Sequence, residues 1–338
     1  MLGAVAEVDP SAVSDPERFR RDVAESCEPA VLRGACSDWP ALEAAQQSWN
    51  ALASYIAQFD NGVPAQAFIG DSEIAGRYFY RDDFDGFNFA REDLRVTEAL
   101  ERIGTSAEKP GAMTLYMGSL PADDHLPGFG AENRLPMLDE QVRPRVWIGN
   151  ASQVACHFDT FENIACVVAG RRHFTLFPPE AIGDLYVGPI DNTMAGQPVG
   201  LAVGSAPGDP RFPRFEQARD HARVVELEPG DALYLPKLWW HQVEATESIN
   251  MLVNYWWDAF RQGPDAPYST MLLAMIAIAE RPPAERAAWR AFFDHYVFRK
   301  DGHPLAHLPE SKHGVLGPLQ PRNYGRIRAF VMQLLRGG

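Results

Sequence analysis

Two residues that can bind a metal ion, His157 and Asp159, stand one residue apart in a segment typical of a buried β-strand. Because neighbouring strand side chains point to opposite faces, this imidazole and this carboxylate should share one face. Two ligands are too few to hold a divalent ion, so a third is needed from a neighbouring strand. Among the nine histidines of the chain, His241 fits best, because it opens another β-rich run.

Two histidines and one carboxylate on one face form the ligand set of non-haem Fe(II) oxygenases, which leaves coordination positions open. A histidine and an aspartate at this spacing are a weak signal, and any single histidine is more often a hydrogen-bonded core or surface residue. The combination of His157, Asp159 and His241, all in β-rich runs, favours a metal site.

Short β-rich runs between Pro144 and Trp257 must position these residues, and they are punctuated by Gly, Pro and Asn. Many strands without intervening helices predict a sandwich or a barrel. The long connection at about 180–220 is rich in Gly, Pro and Asp, and we expect it to shape the approach to the site.

Helices are predicted on both sides of the β-rich region. Residues 14–26 predict a helix with Ser14 as its N-cap. A second helical stretch, "WPALEAAQQSWNALASYIAQF", should break near Ser48, and residues 91–104 predict a third. After Pro264 the pattern is again helical, and its apolar faces should either pack against the barrel or form a dimer contact.

The segments "HFDTFENIACVVAGRRHFTLFPPE", "EPGDALYLPKLWWHQVE" and "NMLVNYWW" together resemble the JmjC and cupin-like 2-oxoglutarate oxygenases. The resemblance covers about residues 110–258, and "EPAVLRGACSDWPAL" adds to it near the N-terminus. It looks closest to the subgroup that contains the asparaginyl hydroxylase that inhibits hypoxia-inducible factor. The resemblance implies a mainly β fold, with a double-stranded β-helix (jelly-roll) core and helical N- and C-terminal additions.

The same resemblance implies that His157, Asp159 and His241 hold Fe(II), with 2-oxoglutarate as co-substrate and dioxygen as oxidant. Further residues match positions that bind 2-oxoglutarate or line its cavity: Tyr116, Asn163, Arg172, Asn254 and Trp256. Core packing explains Trp256 equally well. The subgroup usually has lysine at the position of Arg172, and threonine at the position of Val154, so one hydroxyl donor is missing here.

Strand alternation separates the two arginines of the pair Arg171-Arg172. Arg172 shares a face with Phe174 and should point inward, where a buried cation requires an anionic partner. Arg171 and His173 share the other face, so Arg171 is expected to be a solvated surface charge and His173 is not expected to be a ligand. Asp231 is interpreted as a turn residue.

Composition limits the remaining classes. The 338 residues carry a net charge of −14 without a long basic cluster, so nucleic-acid binding is not expected. Four scattered cysteines argue against a disulfide scaffold or a zinc ribbon. No apolar run reaches membrane-spanning length and no signal peptide is evident, so a soluble cytoplasmic protein is expected.

These observations predict an Fe(II)- and 2-oxoglutarate-dependent oxygenase that hydroxylates an amino-acid side chain in a peptide, a protein or a free amino acid. Two alternatives stay open: an N-methyl demethylase of the JmjC type, and a metal-binding cupin without turnover. Three regions are expected: 1–109 packed on the core, 110–260 as the cupin-like domain, and 261–338 as a helical region that could form a homodimer. The prime substrate and the oligomeric state cannot be read from the sequence.

Overall fold

The computed structural model describes residues 3–82, 84–109, 111–194, 196–261, 263–318 and 320–336. The chain divides into two compact units, residues 1–259 and residues 260–338. Among the described residues, no helix combines the length and the apolar composition that a membrane span requires.

The first unit consists mostly of strands. Its described strands are β1 (Ala6–Glu7), β2 (Ala30–Leu32), β3 (Ala65–Gly70), β4 (Arg77–Tyr78), β5 (Ala90–Leu94), β6 (Thr114–Pro121), β7 (Pro144–Gly149), β8 (Ser152–Phe158), β9 (Glu162–Ala169), β10 (Arg172–Phe177), β11 (Arg223–Leu227), β12 (Ala232–Leu235), β13 (Trp240–Ala245) and β14 (Asn250–Trp257). Its described α-helices are α1 (Pro16–Asp22), α2 (Pro40–Gln47), α3 (Trp49–Ala57), α4 (Val96–Ala107), α5 (Ala122–His125), α6 (Phe129–Glu132) and α7 (Phe215–Asp220).

The strands form two sheets. Nine strands pair in the order β1-β2-β12-β9-β14-β7-β6-β3-β5, and five in the order β11-β10-β13-β8-β4. Strands β7 to β14 contribute four to each sheet, β7, β9, β12 and β14 to the larger one and β8, β10, β11 and β13 to the smaller one. This arrangement is a jelly roll. The predicted fold, a mainly β jelly-roll core with flanking helices, is confirmed.

The core lies between the two sheets. Buried apolar side chains from both sheets pack together there, among them Val167, Phe174, Leu227, Leu233 and Leu252.

The N-terminal region takes part in the larger sheet. Strands β2, β3 and β5 lie within 1–109 and extend the sheet that β7, β9, β12 and β14 build. The expected break at Ser48 is confirmed: Ser48 is the N-cap of α3, where its hydroxyl accepts a hydrogen bond from Ala51 N at 3.1 Å. The expected cap at Ser14 is wrong, because Asp15 caps α1 by accepting from Arg18 N at 2.9 Å. The division of the chain into three regions stays a prediction.

The helix expected at 91–104 begins later. Residues Ala90–Leu94 form β5, which pairs with β3, and the helix α4 starts at Val96. The side chains of β5 are exposed except at Leu94, so this edge strand lacks the apolar alternation that would have distinguished it from a helix.

The connection between β10 and β11 packs on the outside of the jelly roll. Gly200 N donates to Cys156 O of β8 at 2.8 Å, and Val199 is buried in a cluster with Tyr80 and Ala155. None of its described residues lines the cavity described below, and the expectation that it shapes the approach to the site stays a prediction.

The second unit contains three described helices, α8 (Pro267–Ile278), α9 (Pro283–Tyr296) and α10 (Pro321–Arg336). No side chain of α8 or α9 is buried. Large apolar residues are exposed instead, for example Ile276 at 83%, Phe292 at 58% and Phe330 at 61%.

Candidate metal centre

The three predicted metal ligands meet at one end of two neighbouring strands. His157 is the second-last residue of β8, and Asp159 follows directly after the strand. Strand β13 pairs with β8 in antiparallel register, and its His241 lies directly opposite His157. Sheet pairing therefore brings a histidine that is remote in sequence next to the other two side chains.

A β-bulge decides which side chains of β8 face inward. Val154 pairs with Val243 and His157 pairs with His241, so β8 has one residue more than β13 between the two pairs. The extra residue shifts the alternation of side chains by one position. Val154 and His157 therefore both line the same cavity, whereas a regular strand would send them to opposite faces.

Both histidines direct one ring nitrogen away from the site. His157 Nδ1 lies 2.8 Å from Ala155 O, and His241 Nδ1 lies 3.0 Å from Trp239 O. A backbone carbonyl can only accept, so each Nδ1 carries the proton and each Nε2 keeps its lone pair for a metal. Burial, and to a smaller extent the His157 imidazole, lowers the pKa of His241 to about 4, so His241 is neutral at neutral pH.

Asp159 is oriented by two hydrogen bonds. Its Oδ2 accepts from Trp256 Nε1 at 3.0 Å and from Asn163 Nδ2 at 3.2 Å. Asn163 Oδ1 in turn accepts from Asn254 Nδ2 at 3.0 Å, and Asn254 Oδ1 accepts from Trp147 Nε1 at 2.6 Å. This continuous chain of four side chains fixes the carboxylate from the larger sheet, while the two histidines belong to the smaller one.

The three side chains form a compact donor set. One ligand atom from each of His157, Asp159 and His241 lies within 4.8 Å of the others, and no further such group of three occurs among the described residues. The two imidazole centroids are 4.3 Å apart, and His241 Nε2 is 3.8 Å from Asp159 Oδ2. Two imidazoles and one carboxylate suit Fe(II), and three protein ligands leave coordination positions for other molecules. The residues present therefore fit an iron ion.

The donor set lies at one end of a cavity inside the jelly roll. The cavity holds about 570 Å³ of empty space, part of it open to solvent. All eight predicted site residues line it: Tyr116, His157, Asp159, Asn163, Arg172, His241, Asn254 and Trp256. The structure brings these eight residues together in one cavity, and their roles in binding stay a prediction.

Arg172 lies at the other end of the cavity and is 4% exposed. Its Nη1 donates to Asn250 Oδ1 at 2.9 Å, and among the described residues no carboxylate forms an ion pair with it. Burial lowers the pKa of Arg172 to about 10, because the charged form loses its hydration. Burial also raises the pKa of Tyr116, so this phenol stays protonated and can donate a hydrogen bond.

A tight turn before β10 supports the position of Arg172. Gly170 has a φ of 68°, in the left-handed region that favours glycine. A Cβ at this position would collide with the side chain of Asn250, which is the hydrogen-bond partner of Arg172. Gly170 therefore permits the close approach that holds the guanidinium in place.

Two lining residues whose side chains can donate a hydrogen bond, Trp147 and Ser152, were missed from the sequence. Ser152 pairs with Ala245, and Ala245 pairs with Arg172, so Ser152 and Arg172 belong to one row across three strands. Val154 belongs to the next row, closer to the histidines. The sequence indicated Trp147 only as a member of the β-rich run "RVWIGN". The position of Ser152 in the cavity follows only from the register of the sheet.

The residues that were expected to face outward do so. The Arg171 side chain is 53% exposed and lies 3.3 Å from Glu228. His173 lies 3.8 Å from Glu244 and does not line the cavity. Asp231 lies in the turn between β11 and β12, where its carboxylate accepts from Gly34 N at 3.0 Å. None of these three side chains can reach the metal donor set.

Comparison with known proteins agrees with this geometry. The sequence profile of a family described as a Cupin-like domain matches residues 16–263. The chain is 34% identical over 268 residues to the lysine-specific demethylase JMJ31 of Arabidopsis thaliana, covering 68% of this chain and 46% of the relative. It is 26% identical over 275 residues to the human bifunctional peptidase and (3S)-lysyl hydroxylase JMJD7, covering 72% of this chain and 81% of the relative.

A third relative is the Jumonji C domain-containing protein 5 of Drosophila melanogaster, 24% identical over 253 residues, covering 72% of this chain and 57% of the relative. The chain thus spans about half the length of the Arabidopsis and Drosophila relatives. The family match includes all the strands of the jelly roll and every residue of the metal donor set. The chain belongs to the Cupin-like domain family.

Proposed function

We propose that this protein is an Fe(II)- and 2-oxoglutarate-dependent oxygenase that hydroxylates an amino-acid side chain in a peptide, a protein or a free amino acid. One observation carries the proposal: a single cavity has a metal donor set at one end and, at the other, a buried cation for which the described part of the chain offers no ion pair. A dicarboxylate that also coordinates the metal would satisfy both ends at once.

His157, Asp159 and His241 would hold Fe(II), since both imidazoles present an unprotonated Nε2 and the carboxylate is fixed by Trp256 and Asn163. When bound, the ion supplies the activation of dioxygen. The protein directs Nδ1 of both imidazoles to backbone carbonyls and orients the carboxylate, so the donor set is preorganised for the ion.

Arg172 would bind the far carboxylate of 2-oxoglutarate, with Tyr116 as a hydroxyl donor. Arginine instead of lysine keeps the charge and adds a planar fork that can hold a carboxylate through two hydrogen bonds. Val154 offers no hydroxyl, but Ser152 lies in the same cross-strand row as Arg172. We therefore propose that the Ser152 hydroxyl donates to this carboxylate, in place of the hydroxyl that is missing at Val154.

The prime substrate is proposed as an amino-acid side chain because the relatives include a lysyl hydroxylase and a lysine-specific demethylase. The particular likeness to the asparaginyl hydroxylase that inhibits hypoxia-inducible factor stays a prediction. Removal of an N-methyl group is the second candidate, favoured by the name of the Arabidopsis relative. A cupin that binds metal without turnover is the third, and the two-ended cavity argues against it.

The proposal is tested with purified protein, Fe(II), 2-oxoglutarate and dioxygen, by measuring succinate without any prime substrate. We expect slow, iron-dependent formation of succinate, and metal-dependent binding of 2-oxoglutarate by calorimetry. The absence of both would refute the oxygenase. Binding without succinate would instead identify a cupin without turnover. Formaldehyde released from methylated peptides would distinguish demethylation from hydroxylation.

A homodimer through the C-terminal helices is also proposed. The support is the apolar surface of α8 and α9, in which no side chain is buried. Exposed apolar surface of this extent marks an interaction site in most proteins. Sedimentation of the whole chain as a monomer at micromolar concentration would contradict the dimer.

A further inference from the structure

Trp256 forms a wall between the metal cavity and a second, open groove on the surface of the same unit. Its indole lines the cavity, and it lines the groove together with Phe161, Trp257, Arg143, Arg145 and Asp258. We call this second space the outer groove. Phe161 is 47% exposed there and follows the metal ligand Asp159 by two residues. A molecule in the outer groove therefore lies one indole ring away from the metal donor set.

Arg145 is held against this wall. Its Cζ lies 5.4 Å from the centroid of the Trp256 ring. Its Nε donates to Ser119 Oγ and its Nη2 donates to Ser119 O, both at 2.7 Å. These hydrogen bonds use one side of the guanidinium, so the donors of Nη1 remain for a ligand.

Ser119 has an unusual backbone conformation for a non-glycine residue. Its φ is 55°, and it lies where a register shift between Met117 and Leu120 interrupts the pairing of β6 with β7. Such a conformation costs free energy and is maintained where the surrounding structure demands it. Here it turns both the hydroxyl and the carbonyl oxygen of Ser119 toward Arg145.

Arg145 is a cation without a countercharge. It is half-buried, and among the described residues no carboxylate lies within ion-pair distance of it. Desolvation lowers the pKa of Arg145, and the more distant Asp124 only partly opposes this effect. The other arginine of the groove, Arg143, lies 3.1 Å from Asp123, and Asp258 lies 2.8 Å from Lys237.

We propose that Arg145 determines specificity by binding a carboxylate of the prime substrate, close to the side chain that reacts. The carboxylate would belong to an aspartate or glutamate of a peptide, or to a C-terminus. Anchored beside Trp256, it would leave the neighbouring side chain free to pass the indole toward the metal. This inference rests on the proposed oxygenase function and names the chemistry by which its substrate is recognised.

A carboxylate fits better than a phosphate group. Arginine binds both anions, but the groove also contains the carboxylates of Asp123, Asp139 and Asp258. These would repel a doubly charged phosphate more strongly than a singly charged carboxylate. The net charge of −14 adds to this discrimination at longer range.

Affinity selection from peptide libraries tests the proposal. The whole protein, immobilised and loaded with Mn(II) and 2-oxoglutarate under argon, is exposed to random N-acetylated hexapeptides, once with a C-terminal amide and once with a free carboxylate. If the carboxylate belongs to a side chain, we expect at least a threefold enrichment of Asp or Glu at a fixed position in the amide library. If it belongs to the C-terminus, we expect peptides of the free-carboxylate library to be retained at least threefold more than the same sequences with an amide. The two libraries distinguish the two sources of the carboxylate.

Variants connect the enrichment to Arg145. Arg145→Gln should lose it, Arg145→Lys should retain most of it, and Arg145→Glu should replace it with enrichment of Lys or Arg. Arg171→Met is the matched control, since Arg171 is an arginine paired with Glu228 and does not line the outer groove, and this variant should select as the wild type does. Thermal melting confirms that each variant is folded.

Two results would overturn the inference. One is the absence of carboxylate enrichment by a wild-type protein that binds 2-oxoglutarate in calorimetry. The other is an enrichment that survives unchanged in Arg145→Gln. Failure of the wild type to bind 2-oxoglutarate would instead refute the proposed function on which the inference rests.

Discussion

The two ends of the cavity differ in how their polar groups are satisfied. At the metal end, Asp159 accepts two hydrogen bonds and each histidine directs Nδ1 to a backbone carbonyl. At the far end, the buried guanidinium of Arg172 has one amide partner and no ion pair among the described residues. The first end is organised to hold an ion in a fixed geometry, and the second contains a buried positive charge that an anionic ligand would neutralise.

This difference teaches that the two ends should respond separately to mutation. A substitution in the hydrogen-bonded side chains that orient Asp159 should affect the metal, because these hydrogen bonds lead to the Asp159 carboxylate. A side chain of the Arg172 row acts on the co-substrate, because its neighbours are Ala245 and Ser152. The predictions for Asp159, Arg172 and Ser152 test this separation.

Removal of a metal ligand should have the largest effect. Asp159→Ala or His157→Ala leaves two ligands at most, so iron binding and succinate formation should both fall to background. Metal content and turnover are measured on the same preparation. His173→Ala is the matched control, since His173 is in the same sheet but faces outward, and it should keep both. A fully active Asp159→Ala would mean that the metal binds elsewhere.

Loss of the buried cation should act on the other end alone. Arg172→Met should weaken binding of 2-oxoglutarate by about 10- to 100-fold, since hydrogen bonds to charged groups contribute about 1.5–3 kcal/mol. Metal binding should be retained. Calorimetry measures both ligands, and Arg171→Met, at the exposed neighbour, should match the wild type. If Arg172→Met loses the metal instead, the two ends are not separate.

Acid should destabilise the metal-free protein through His241. The unfolded chain binds a proton at this residue near pH 6.5, whereas the folded chain does so only near pH 4. Between these values the unfolded state holds more protons, so stability falls as the pH falls through this window. Denaturant unfolding in the presence of a chelator should show this slope, and His241→Gln should reduce it. An equal slope in the variant would contradict the assignment.

The smallest effect should come from the hydroxyl in the Arg172 row. Ser152→Ala should weaken 2-oxoglutarate binding about tenfold, since one hydrogen bond to a charged group contributes about 1.5 kcal/mol at the lower end of its range. Val154→Thr places a hydroxyl in the next row and should restore part of the affinity in the double variant. Unchanged binding in Ser152→Ala would show that this hydroxyl does not contact the co-substrate.

Much of the site could be predicted from the sequence because its signals are local. The alternation of strand residues separated Arg172 from Arg171, and the spacing of His157 and Asp159 placed both in one cavity. What could not be predicted depends on pairing between strands. The bulge that turns both Val154 and His157 inward is visible only in the register of β8 with β13.

Helix boundaries show the same limit. Ser14 and Asp15 are both good N-caps, and the sequence alone does not say which hydrogen bond forms. The residues of β5 were predicted as part of a helix. They form a strand because they pair with β3, and this pairing leaves no local pattern in the sequence. Arg145 was missed because its position depends on the backbone of Ser119 in another strand.

The position of the bulge has a consequence for how metal binding would change the local stability of the sheet. The ladder between β8 and β13 is interrupted next to the pair formed by His157 and His241. An ion held by both side chains would tie the strands together at the point where the backbone hydrogen bonds are irregular. Loading with iron would then close a local opening of the sheet, and slower amide exchange at this strand end would report an iron-loaded chain without any turnover.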